Sequence, residues 1–297
     1  MSDTLQRFER RLLWAIAFTG LIFLAEVAGG LLAGSLALLS DAAHIFLDVM
    51  ALGISYGALR LAARPADAMH TYGFHRFQVL AALANGLTLL VVAFGIFREA
   101  WERLNAPAPV LAGPMLAVAV VGLAVNLVVA LVLRDHDHGD LNVRSAFLHV
   151  IGDALSSLGV IVAGVVILLT GWTLADPLAG IFIGLIILSG AGRVVREAVH
   201  ILVEGTPRGI SAQVVAAAMR EVAAVSDVHD LHVWTVSPGY VALSAHVVVD
   251  DRPLVEVQKV QDGLRETLAR RFGIRHTTIQ VECVACCPNG TGCIGHS

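Results

Sequence analysis

Residues 146–169 read AFLHVIGDALSSLGVIVAGVVILL. A helix needs about 20 mainly apolar residues to cross a bilayer, and this run supplies them. It nevertheless carries His149 and Asp153, four residues apart, where hydrocarbon makes each of them costly. A second apolar run, about 36–59, repeats the spacing with His44 and Asp48. The two pairs mark the chain as membrane-embedded with polar chemistry inside.

The rest of the composition agrees. Of 297 residues, 57% are hydrophobic and 15% charged, against about 25% charged in soluble domains. Four further runs qualify as spans: about 12–33, 79–97, 109–133, and one that starts near Asp176 and extends past Arg193. The arginine bias then predicts both termini in the cytosol. Arg7, Arg10, Arg11, Arg60, Arg64, Arg76, Arg134, Arg144, Arg193 and Arg196 fall on one side, while Arg98 and Arg103 on the other are offset by Glu99 and Glu102. No cleavable leader is expected, because the first apolar run is too long and lacks a small-residue cleavage site. A net charge of −4 gives no sign of a nucleic-acid partner.

After Glu204 the composition changes, so the expected division is a transmembrane domain over 1–204, a linker over 205–209, a cytosolic domain over 210–283 and a cysteine-containing tail over 284–297. SAQVVAAAMREVAAV (211–225) reads as an amphipathic helix. VHDLHVWTVS (228–237) and YVALSAHVVVD (240–250) alternate like strands joined at Pro238-Gly239. PLVEVQKVQDGLRETLARRF (253–272) reads as a helix and HTTIQVE (276–282) as a last strand. The order αββαβ suits a small two-layer α+β domain with both helices on one sheet face.

Positions i and i+4 share a helical face, so His44 points with Asp48 and His149 with Asp153. Two imidazoles and two carboxylates make a four-coordinate N/O site suited to Zn²⁺, whose charge offsets the burial of the carboxylates. The competing reading is a pair of polar helix contacts or a watery cavity. Histidine titrates near neutrality, and metal binding requires deprotonated ligands, so metal and proton occupancy are linked. The chain contains no Walker A or aspartyl-phosphate motif, which leaves a proton gradient as the simplest driving force. Asp41 either orients His44 or helps cap the helix with Ser40. Glu26, Asn85 and Asn126 are expected to make helix–helix hydrogen bonds.

SLALLSDAAHIFLDV (35–49), HTYGFHRFQVLAALANG (70–86), NVRSAFLHVIGDALSSLGV (142–160), DPLAG (176–180) and HDLHVWTVSPGYVALSAHV (229–247) together resemble the cation diffusion facilitator family, in its zinc-transporting branch. The resemblance covers nearly the whole chain. It implies a homodimer of six-helix protomers in the lipid bilayer, each with a cytosolic ferredoxin-like domain. It also implies exchange of Zn²⁺, and of Cd²⁺ or Co²⁺, for protons by alternating access. His44, Asp48, His149 and Asp153 match the family's transport-site positions. Asp67, His70 and His75 lie where some members bind a second metal, although the spacing of the third ligand departs from that pattern. His229, His246 and Glu282 match cytosolic metal positions, with His232 and His276 nearby, while Gln258 and Gln280 stand where some bacterial relatives have histidine. The tail CVACCPNGTGC (283–293) offers the C-x-x-C pair Cys283 and Cys286 as zinc thiolates, or else incidental thiols. DHDHGD (135–140) is either a weak metal collector or a solvated acidic loop. The implied location is the bacterial inner (cytoplasmic) membrane, or a vesicle membrane in a eukaryote.

Two other functions fit parts of this pattern. A membrane-embedded zinc hydrolase needs an open coordination position and a separate base, yet four protein ligands fill a tetrahedron and no H-E-x-x-H is present. A metal sensor without transport has no use for ligands inside the membrane.

Overall fold

The structure is a computed structural model that describes residues 20–134 and 141–283, with the side chains of 52, 129–134 and 141–151 outside the description. Residues 1–19, the DHDHGD loop and the tail that holds Cys286 also lie outside the described residues. The chain divides into two compact units: Met1–Ile54 with Ala84–Arg193, and Ser55–Leu83 with Val194–Ser297.

Among the described residues six helices come first: α1 (Gly20–Ala33), α2 (Leu36–Ala62), α3 (Arg76–Asn105), α4 (Ala112–Arg134), α5 (Leu141–Thr170) and α6 (Ala175–Leu202). Within the described residues, α2, α3, α6 and residues 152–170 of α5 are each long and apolar enough to cross a membrane, and α1 and 112–128 of α4 are shorter apolar stretches. α3 runs well past the expected end at Phe97, because Arg98 pairs with Glu102 and Arg103 with Glu99, each at 2.9 Å and i,i+4 spacing. Tight packing in the first unit comes from small residues. Ala33, Ala37, Ala93, Ala119, Ala163 and Ala175 are buried around Leu38, Met115, Val160 and Ile183. Helices in lipid associate through such close backbone approach, because lipid tails remove the hydrophobic drive between them. Large side chains such as Val91, Phe94, Leu168 and Leu169 face outward, as apolar solvent allows.

The join between α1 and α2 is short and well determined. Gly34 takes φ 67°, the left-handed conformation that stops α1, and Ser35 N–H closes back on Gly30 O at 3.0 Å. Ser35 Oγ then accepts Leu38 N–H at 3.2 Å as the cap of α2. Asp176, fully buried at the start of α6, completes the cap. It accepts Leu36 N–H at 2.7 Å, Ala37 N–H at 3.2 Å and the Ser35 hydroxyl, with Arg103 at 3.6 Å as counter-charge. Ser40, expected to take part in capping, instead donates to Leu36 O at 2.7 Å inside the helix.

In the second unit, α7 (Ala212–Arg220) leads into β1 (Val225–Ser237) and β2 (Tyr240–Val249), followed by α8 (Leu254–Phe272) and β3 (His276–Glu282). β1 and β2 are antiparallel, β2 and β3 parallel, and β2 lies between the other two. The core joins Val215 and Met219 of α7, Leu243 and Val247 of β2, and Leu264 and Leu268 of α8. The helix expected over 211–225 ends early. It stops at Arg220 with Glu221 as its cap, and Ala224 at φ 75° then turns the chain into β1.

Candidate metal centre

α2 brings His44 and Asp48 to one face, and α5 brings Asp153 against them. His44 Nε2 lies 3.8 Å from Asp48 Oδ2 and 3.7 Å from Asp153 Oδ1. One donor atom from each of the three falls within 4.8 Å of the others. Their side chains are partly buried, at 15%, 24% and 15% exposure. His149 lies on α5 four residues before Asp153; its side chain is outside the described residues. The described donors are one imidazole and two carboxylates, a borderline set that suits Zn²⁺ and its neighbours better than Mg²⁺ or Ca²⁺.

Polar groups surround this cluster. Asp41, buried on α2, accepts the Ser157 hydroxyl of α5 at 3.3 Å. Asn85 ties α3 to α2 through Ala51 O at 3.3 Å, as expected of a helix–helix hydrogen bond. Among the described residues Glu26 does not make the bond expected of it, since both its oxygens are buried without a hydrogen-bond partner there.

The sheet assembles a second cluster. The β1–β2 register places His229 directly opposite His246, and in the β2–β3 register Glu282 pairs with Val248, on the same face as His246. His246 Nδ1 lies 3.0 Å from Glu282 Oε1, and His229 Nε2 lies 3.5 Å from Glu282 Oε2. Donors from all three fall within 4.8 Å of one another. His229 is buried with neither ring nitrogen hydrogen-bonded. A buried imidazole in that condition fits a metal ligand, because buried polar atoms otherwise find partners. Gln280 donates to Glu282 Oε1 at 2.8 Å and so orients the carboxylate.

Asp230 is a participant that the sequence reading missed. It sits where the register shifts between His229 and His232, and holds φ 48°. One oxygen lies 3.1 Å from His232 Nε2 and the other 3.8 Å from His246 Nε2. The signal was an acid between two histidines in HDLH, which strict strand alternation would place on the opposite face. His232 itself stays 61% exposed and stands outside the three-residue cluster.

The other candidates separate. Asp67 accepts His70 N–H at 2.6 Å, His70 Nδ1 at 3.0 Å and Met69 N–H at 2.9 Å. The backbone and ring of His70 hold its carboxyl below the usual range. His75 is not with them. Its ring lies 5.1 Å from Tyr240, which in turn lies 5.7 Å from His276, and Tyr72 lies 5.4 Å from His276. His75 and His276 thus belong to an aromatic cluster. Cys283 is a free, exposed thiol.

Comparison with known proteins bears on the whole chain. The family model for a cation efflux transmembrane domain matches residues 12–203, and that for a cation efflux protein cytoplasmic domain matches residues 207–284. The zinc transporter ZitB of Escherichia coli is 40% identical over 294 residues, covering 97% of this chain and 93% of that protein. The metal cation efflux system protein CzcD of Cupriavidus metallidurans is 39% identical over 278 residues, 94% of this chain and 88% of that protein. A cadmium, cobalt and zinc/H(+)-K(+) antiporter of Bacillus subtilis is 38% identical over 270 residues, 90% of this chain and 86% of that protein. With both halves matched in order, and the membrane helices and αββαβ domain each in place, the chain belongs to the cation efflux family.

Proposed function

We propose that this protein exports Zn²⁺, with Cd²⁺ or Co²⁺ as further cargo, from the cytosol in exchange for protons. His44, Asp48, His149 and Asp153 hold the ion, which is substrate, and expose it to one side of the membrane and then the other. The observation that carries this reading is the convergence of His44, Asp48 and Asp153 from two helices onto one point. Membership of an efflux family sets aside the hydrolase and the stand-alone sensor. The relatives named as transporters of zinc, and as an antiporter of cadmium, cobalt and zinc, support the choice of cargo and of exchange. His229, His246 and Glu282 are proposed to hold a resident Zn²⁺ that reports cytosolic metal. The protein works as a homodimer in the cytoplasmic membrane with both termini in the cytosol.

The test uses proteoliposomes loaded with a zinc-sensitive dye under an imposed pH gradient. Gradient-dependent zinc flux is expected in the wild type and is lost in both Asp48→Ala and Asp153→Ala. Flux that survives in both variants refutes the assignment.

A further inference from the structure

Glu26 is a carboxylate that the metal donors leave unexplained. It lies on α1 at 0% exposure, and neither oxygen has a hydrogen-bond partner among the described residues. Three other helices enclose it. Gly122 on α4 approaches so closely that a Cβ there would stand 3.1 Å from Glu26 Oε1 and 3.8 Å from Ser157 Oγ. Ser157 on α5 directs its hydroxyl to Asp41 on α2. Among the described residues, the ionisable groups whose fields reach Glu26 are Asp41 on α2 and Asp153 on α5, and both are acidic. The absent side chain at Gly122 is what gives the carboxyl its space.

Among the described residues, an ionised carboxylate here would find no donor and no counter-charge, and would face two like charges. Retaining a proton costs far less than that state. We propose that Glu26 is a proton-binding site of this transporter, distinct from the metal donors. It holds a proton in the buried arrangement described here and gives it up to water when the site opens. Metal arrival supplies the trigger. A divalent cation beside Asp153 cancels part of the negative field at Glu26, so the proton leaves more readily when metal is bound. Proton return restores the neutral acid after the metal departs. This rests on the zinc–proton exchange proposed above and names one group that carries the returning charge.

The test counts protons released per zinc bound, by calorimetry of the full-length protein in buffers of different ionisation enthalpy. Glu26→Gln keeps the shape and removes the exchangeable proton. It is expected to release about one proton fewer per zinc and, by linkage, to bind zinc about tenfold more weakly at neutral pH. Glu26→Asp, which keeps a carboxyl, is expected to restore the count. An unchanged count in Glu26→Gln overturns the proposal. Infrared spectroscopy of wild-type protein with isotope-labelled glutamate decides the matter independently of how the variants fold. Glu26 is the fully buried glutamate among the described residues. A neutral-acid carbonyl band at neutral pH that disappears on zinc addition is expected, and ionised bands alone overturn the proposal. Zinc flux in the wild type that ignores the imposed pH gradient would refute the exchange while leaving the neutral-acid band of the zinc-free protein in place, so the two failures are distinguishable.

Discussion

The carboxylate of Asp176 accepts the backbone N–H of Leu36 at 2.7 Å, so the helix that carries His44 and Asp48 is capped by a residue 140 positions away. The same carboxylate takes Ala37 N–H and the Ser35 hydroxyl. Removing it strands several buried donors and leaves Arg103 without its buried partner. Asp176→Ala should therefore cost about 2–4 kcal/mol, read as a lower melting midpoint in detergent. Asp176→Asn keeps an acceptor and should lose less. An alanine variant that melts with the wild type would show the cap to be dispensable.

Cargo choice should follow donor softness. His44→Asp replaces an imidazole with a harder oxygen donor, which favours Mn²⁺ relative to Zn²⁺. Competition transport in proteoliposomes should show the Zn²⁺ preference falling by about tenfold, roughly 1.4 kcal/mol. An unchanged ratio would mean that the imidazole does not set selectivity.

The sheet cluster makes its own prediction. In an Asp48→Ala background, which removes a proposed ligand of the membrane site, His246→Ala should abolish the remaining tight zinc binding. Gln280→Ala removes the amide that orients Glu282 and should weaken that binding by about 10–100-fold. Equilibrium dialysis of the full-length protein reads both. Equal zinc uptake in all three proteins would rule out this cluster as the holder.

Tyr240 gives a pH dependence with a definite sign. Burial, with Tyr72 adding to it, raises its phenol above the ordinary value of 10.0. Folding therefore favours the neutral form. The stabilisation is fully present below the ordinary value and is lost as pH rises through the folded-state value. Melting midpoints should fall at alkaline pH more steeply in wild type than in Tyr240→Phe. Parallel alkaline limbs would show that the phenol contributes nothing.

Much of the fold was legible because membrane spans declare themselves by apolar length, and the small domain by the alternation around Trp234 and Leu243. The ends were less legible. α3 outruns its apolar stretch because arginine–glutamate pairs extend it, and α7 is capped at Glu221, four residues before the expected end at Val225. His44 and Asp48 were readable as a pair through the helical period alone. That Asp153 meets them depends on which helices are neighbours, and spacing does not encode this. The Asp176 cap escaped notice because capping is normally read within three residues of a helix start. Asp230 escaped because a register shift breaks the period-two pattern used to assign strand faces. His75 and His276 looked like metal ligands by residue type, and only their rings' distances to Tyr240 show where they go.

The fastening at the first turn of α2 has a mechanical corollary. Held at Ser35 and Leu36 by Asp176, the helix is a lever with its fulcrum at that end. A sideways push swings such a rod, and displacement grows with distance from the fulcrum. His44 lies about 12 Å along the rod and Asp48 about 18 Å. Any swing therefore carries Asp48 about half as far again as His44, and the cluster of His44, Asp48 and Asp153 would loosen first at Asp48.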